Sequence, residues 1–502
     1  MSLHAELTEE SRARLHAQQR NSTISSIIIA VLVIVLIALI LGWIFIKPLI
    51  KETPTIVTYQ SNVVEEEQVD QKRVKTSTQK KPASPASQMA KTIVANTASP
   101  TSIPVPTVDV STPTMDFGSS DDFGSSWGEV AETGFGNIPA TMKKRCSKAD
   151  RLARLQETGG TPQCEDAVVK ALNFLKSTQK SNGSWAGGYS PSKPTAMTGL
   201  ALLAYLGHCE TPTSKDYGDT VLRAITYLVD VGMKNNGRLT LNPTESHWPY
   251  EHAIATYALG EAATFCKQGN INVPNLFEVT QKAGQIIIDN QHRKTGGWDY
   301  LYDTEGKRGG DLSVAAWQIQ ALKACYHTGL EYKGLTRAAN RGIDYTMSMH
   351  CDDGGFAYAK ANEKSHGDGY RTMTGGGVLC LQMWNKSSSS QARQGLKYIE
   401  KNSKFDYDTK YSDLYGHYYE AQAAINRGGE TWRKYNAMVR DEILQAQLPD
   451  GSWPPPSSKD KDQRAVAGAL QKNSNPHYRT CLLTLTLEVY YRFLPGTGVH
   501  AK

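Results

Sequence analysis

Seven side chains between residues 251 and 479 are of types that do acid–base or ligand chemistry: Glu251, His252, Asp311, Arg371, His417, His477 and Arg479. Each stands near the start of a segment rich in apolar and small residues. If those segments are helices with their first turns at one end of a ring, the seven form a candidate ligand cavity. The aligned helix N-termini would favour an anion there. The competing expectation is that the acids cap helices and the bases pair with them. Asp311, directly after Gly309-Gly310, reads as such a cap, and Asp311→Asn should then cost on the order of 1 kcal/mol. Asp352-Asp353-Gly354-Gly355 reads as turn chemistry, because a di-aspartate without further oxygen ligands is a poor metal site. No catalytic residue is assigned, and neither a metal nor another cofactor is expected.

The segments that would position these groups start near Thr195, Tyr250, Asp311, Arg371, Tyr415 and Tyr478. They are apolar around most of their circumference, as helices enclosed by other helices must be. Between them lie segments such as DTVLRAITYLVDVGMK and NLFEVTQKAGQIIIDNQ, which carry a charged face and suit an outer layer. The turns repeat. Gln179 precedes Asn182-Gly183-Ser184-Trp185, Gln291 precedes Gly297-Trp298, and Gln447 precedes Gly451-Ser452-Trp453. Gly354-Gly355-Phe356 is another copy, and weaker ones are Asn236-Gly237-Arg238-Leu239 and Lys404-Phe405. A recurrence of roughly 50 to 60 residues predicts an all-α repeat architecture of six helix–turn–helix units, an inner ring inside an outer one.

QKSNGSW, QHRKTGGW and QLPDGSW resemble the QW repeats of the prenyltransferase and squalene cyclase superfamily, over Cys164 to Pro495. The resemblance implies an α/α toroid (an α6/α6 barrel) in a bacterial-type, membrane-anchored member. It gives Gln179, Trp185, Gln291, Trp298, Gln447 and Trp453 a structural role in tying outer helices together. The superfamily's chemistry is less well kept. Of the acidic cyclase motif only Thr195-Ala196 survives, in Pro191-Ser192-Lys193-Pro194-Thr195-Ala196, and Asp406-Tyr407-Asp408-Thr409 echoes it in a polar loop. The zinc site of the protein prenyltransferases maps onto Asp311-Leu312-Ser313 and Tyr478-Arg479-Thr480, with serine where a thiolate is needed and an arginine that cannot coordinate. Zinc would need His477 in place of the lost ligand. The resemblance therefore implies a toroid that lacks the familiar catalytic motifs and binds a partner protein or an apolar, isoprenoid-like ligand. The alternative is an isoprenoid cyclase or prenyltransferase-like enzyme with divergent active-site residues.

Composition divides the rest of the 502 residues. Residues 1–23 form a polar tail. Residues 24–46 are an apolar run of about the length that crosses a bilayer, expected to be a single transmembrane helix. Arg12, Arg14 and Arg20 before it outnumber Lys47 and Lys51 after it, which predicts a cytoplasmic N-terminus and an extracytoplasmic (periplasmic) toroid. Residues 47–139 are Ser/Thr/Pro-rich and too poor in aliphatic side chains to fold, so a disordered linker is expected. A capping helix over 140–163, the toroid over 164–495 and a tail over 496–502 complete the plan. The net charge of +6 comes with no basic tract interleaved with aromatics, which argues against a nucleic-acid partner. Eight cysteines include no C-x-x-C pair; Cys146 with Cys164 is the expected disulfide, and Cys209, Cys266, Cys325, Cys380 and Cys481 are expected as small apolar residues on inner helices.

Overall fold

The computed structural model describes residues 145–185, 193–365, 369–409, 411–455 and 475–492. The expected transmembrane helix, the linker and the C-terminal tail lie outside them. Among the described residues no helix is long and apolar enough to cross a membrane.

A short helix, α1 (Lys148–Thr158), is followed by alternating outer and inner helices. The outer helices are α2 (Pro162–Thr178), α4 (Gly218–Lys234), α6 (Leu276–Asp289), α8 (Leu335–Ser348), α10 (Ser390–Asn402) and α12 (Gly429–Gln445). The inner helices are α3 (Pro194–Gly207), α5 (Trp248–Gln268), α7 (Leu312–Thr328), α9 (Thr374–Met383), α11 (Leu414–Arg427) and α13 (Pro476–Leu487), the last continued by the turn α14 (Val489–Arg492). Each inner helix packs on the next, and α13 packs back on α3, so the ring closes. The fold is an all-α toroid. The first outer helix starts at Pro162, inside the stretch expected to be cap, because Gly159 ends α1 in a left-handed turn.

Small residues let the inner helices approach. A Cβ on Gly199 would lie 3.1 Å from Ala255 Cα, and one on Gly260 would lie 2.8 Å from Ala324 Cβ. Aromatic side chains meet across the middle of the ring. Trp317 of α7 stacks on Tyr418 of α11 at 5.2 Å, and the Tyr418 hydroxyl donates to Gln320 at 3.2 Å, a contact that reaches past α9.

The three glutamine–tryptophan turns share one geometry. Trp185, Trp298 and Trp453 are fully buried and donate through Nε1 to the carbonyls of Leu175, Ile287 and Ile443, each at 2.8 Å. Gln179 donates to Thr220 O of α4 at 3.0 Å, and Gln291 to Ala338 O of α8 at 2.8 Å. Gln447 donates to Ala167 O of α2 at 2.8 Å, joining the last outer helix to the first. Gly183, Gly296 and Gly451 hold φ of 86°, 81° and 90°, with the next outer helix's backbone so close that a Cβ would strike it. Only glycine meets both demands.

One expected pairing is wrong. Cys146 bonds to Cys209 at the end of α3, and Cys164 is a buried free thiol. The chain before α1 crosses the end of α3, so proximity in sequence to Cys164 did not set proximity in space.

Candidate functional site

The structure does not bring the seven nominated side chains together. His252 points outward between the rings, where its Nδ1 accepts from Leu239 N at 3.0 Å and its Nε2 donates to Ala283 O of α6 at 3.0 Å. His417 does the same, its Nδ1 taking the Tyr435 hydroxyl of α12 at 2.9 Å and its Nε2 lying 3.0 Å from Tyr411 O. Burial pulls both imidazoles down to about 4, so both are neutral. Asp311 caps α7: Oδ1 accepts from Ser313 N at 3.0 Å, and Oδ2 from the Tyr300 hydroxyl at 2.9 Å and Arg308 at 2.5 Å.

The remaining four are also engaged. Glu251 pairs with Lys193 at 3.1 Å, and burial nonetheless raises its carboxyl above the ordinary range. Arg371 lies on the rim, bound to Asp353 at 2.7 Å and to Glu363 O at 2.7 Å. Arg479 donates to Pro454 O at 2.9 Å and lies over the Tyr407 ring, while His477 sits against Phe174 of α2. Asp353 also receives Gly355 N at 3.0 Å, so the di-aspartate is a turn. Among the described residues no group of three or more His, Cys, Asp or Glu could hold a metal ion.

What does converge at the first turns of the inner helices is tyrosine. Tyr250 of α5 and Ser313 of α7 share a hydroxyl–hydroxyl hydrogen bond, and Tyr415 of α11 donates to Ser313 O at 2.7 Å. Tyr300 stacks on Tyr250 at 5.9 Å and reaches Asp311, and His247 packs on Tyr300 at 4.3 Å. Tyr358 joins the group electrostatically with Tyr250 and Tyr415, as Tyr478 of α13 does with Tyr415. These tyrosines are half-buried, and Leu241 and Leu301 stand exposed on neighbouring loops. A small, open recess lies beside them, lined by Tyr358, Tyr370, Arg371 and Phe356.

Burial keeps the phenols neutral, raising Tyr250 and Tyr415 well above their ordinary value and Tyr300 up to about 12. The mouth thus offers aromatic faces and hydroxyls, and its carboxylate is already committed to Arg308. Among the described residues, these groups are of the types that contact a ligand through aromatic faces and hydroxyls. Sequence reasoning passed over these tyrosines although three inner segments, YEHAIATY, YGHYY and YRTCL, begin with one. The repeated tyrosine was the usable signal.

A second residue was missed. Glu420 of α11 is buried, accepts from the Tyr370 hydroxyl and from Ser403 Oγ at 2.5 Å, and is pushed well above the carboxylate range by burial. Burial thus favours its protonated form.

No protein-family model matches the chain, and no curated protein matches it. Among solved structures, a type II terpene cyclase from Scytonema with bound geranylgeranyl dihydroxybenzoate is similar at 13% identity and a TM-score of 0.43, over 66% of this chain and 97% of that one. An α-1,6-mannanase from Salegentibacter sp. HEL1_6 is similar at 10% identity and a TM-score of 0.45, over 65% of this chain and 98% of that one. The likenesses are too distant to carry an argument about activity, and the ring rests on the packing of this chain's own helices.

Proposed function

We propose that the protein is a membrane-tethered toroid of the prenyltransferase and squalene cyclase type that binds a partner protein or an apolar ligand at the tyrosine mouth and carries out no chemistry there. The observation that supports this reading is that every titratable group nominated as chemical is already held by the fold, while the mouth presents neutral tyrosines beside exposed leucines. The apolar run at 24–46 supplies the tether, and the charge balance around it puts the toroid outside the cytoplasm. The Cys146–Cys209 bond supports that placement, because disulfides persist in oxidising compartments.

The alternative enzyme reading has one observation in its favour: burial raises the Glu420 carboxyl well above the ordinary range, the direction an acid that protonates an alkene requires. A photo-crosslinking residue at Tyr478 of the full chain in its native membrane tests the binding reading, with one at the exposed Leu222 of α4 as control. A discrete adduct at 478 absent at 222 is expected. The same adducts at both positions contradict it, and an isoprenoid product lost in Glu420→Gln moves the assignment to the enzyme.

A further inference from the structure

The other end of α5 holds a different arrangement. Arg145, on the chain just before α1, is only 2% exposed and sits over the Phe265 ring at 5.1 Å. Its Nη1 lies 3.5 Å from Glu261 Oε2. The other oxygen of Glu261 takes Arg492 at 2.8 Å, and Arg492 also binds the Tyr257 hydroxyl at 3.0 Å.

Glu488, at the end of α13, completes the group. It is fully buried, packs against Gly207, and interacts with the charges of Arg145 and Arg492, yet neither carboxyl oxygen has a hydrogen-bond partner in the protein. Arg145 Nε and Nη1 likewise find no acceptor. An aromatic face, a carboxylate and a second carboxyl around a buried guanidinium make a guanidinium site, which the chain fills imperfectly with its own arginine. Unmatched buried polar groups weaken that occupancy. Arg151 donates to Arg145 O at 2.8 Å, and the covalent hold is the next residue, Cys146, bonded to Cys209 of the ring.

We propose that this end of the toroid is a second binding site, specific for a guanidinium group such as the arginine side chain of a peptide, occupied by Arg145 while the Cys146–Cys209 bond is intact and opened when it is reduced. A dithiol reductant supplies two electrons and two protons, leaving Cys146 and Cys209 as thiols and itself as a disulfide. The six other cysteines are buried free thiols, and both bonded ones are partly exposed, so reduction acts on this bond alone.

The test titrates N-acetyl-arginine amide into the full chain. Oxidised wild type should show no saturable binding, and reduced wild type should show it. Oxidised Arg145→Ala should bind without reduction, and adding Glu261→Gln to that variant should weaken binding at least tenfold while circular dichroism stays helical. Failure of both the reduced protein and Arg145→Ala to bind overturns the proposal, as does equal binding of N-acetyl-citrulline amide, which lacks the charge. If Arg145→Ala does not fold, amide exchange of wild type decides: reduction must speed exchange across α1 and leave α8 unchanged, and an unchanged α1 overturns the proposal.

Discussion

His252 illustrates how a residue of catalytic type becomes part of the frame. Its two ring nitrogens are satisfied by Leu239 N and Ala283 O, which requires the neutral tautomer with the proton on Nε2. Its folded value of about 4 lies below the ordinary 6.5, so protons bind the unfolded chain more readily. The stabilisation from His252 is therefore fully present above pH 6.5 and is lost as pH falls toward 4. Comparing wild type with His252→Gln by urea unfolding should show wild type's advantage shrinking by about 3 kcal/mol between pH 7 and pH 4. A constant advantage would mean that the imidazole charges freely. Asp311 carries more than the cap expected from sequence, because Tyr300 and Arg308 also bind it. Asp311→Asn should cost about 1–3 kcal/mol, read from the same unfolding midpoints.

At the scale of elements, most of the ring was legible. The inner helices start within a few residues of the positions read from composition, and the turn glutamines and tryptophans occupy equivalent places in three turns. The side of each inner helix that faces the middle was not legible. Segments such as YEHAIATYALGEA are apolar or small around most of their circumference, so no continuous polar stripe marks the inward face. The nominated residues at 252 and 417 consequently stood two positions from the tyrosines that face the mouth. The disulfide was illegible for another reason, since it depends on where the chain before α1 crosses the ring. The seam between α12 and α2 offers the sharpest element-scale prediction. Gly451→Ala forces a Cβ into Lys170 O at a φ of 90°, and should cost about 1–3 kcal/mol. Gln447→Ala removes the bond to α2 and should cost about 1 kcal/mol. Thermal unfolding that leaves Gly451→Ala as stable as wild type would mean that the seam yields without strain.

The described residues form a ring with two dissimilar ends. One carries tyrosines at the first turns of α5, α11 and α13 around Ser313 of α7, and the other is a buried ionic cluster under the segment leading to α1. Between them Trp317, Tyr418, Tyr419 and Gln320 meet across the ring. Native mass spectrometry of the full chain, purified without chelator and released from detergent, tests the central claim most directly. A metal-free mass carrying one discrete partner or apolar adduct, lost in a Tyr250→Ala, Tyr415→Ala double variant that keeps its helical spectrum, is the predicted result. A stoichiometric zinc, or an adduct that the double variant retains, would contradict it.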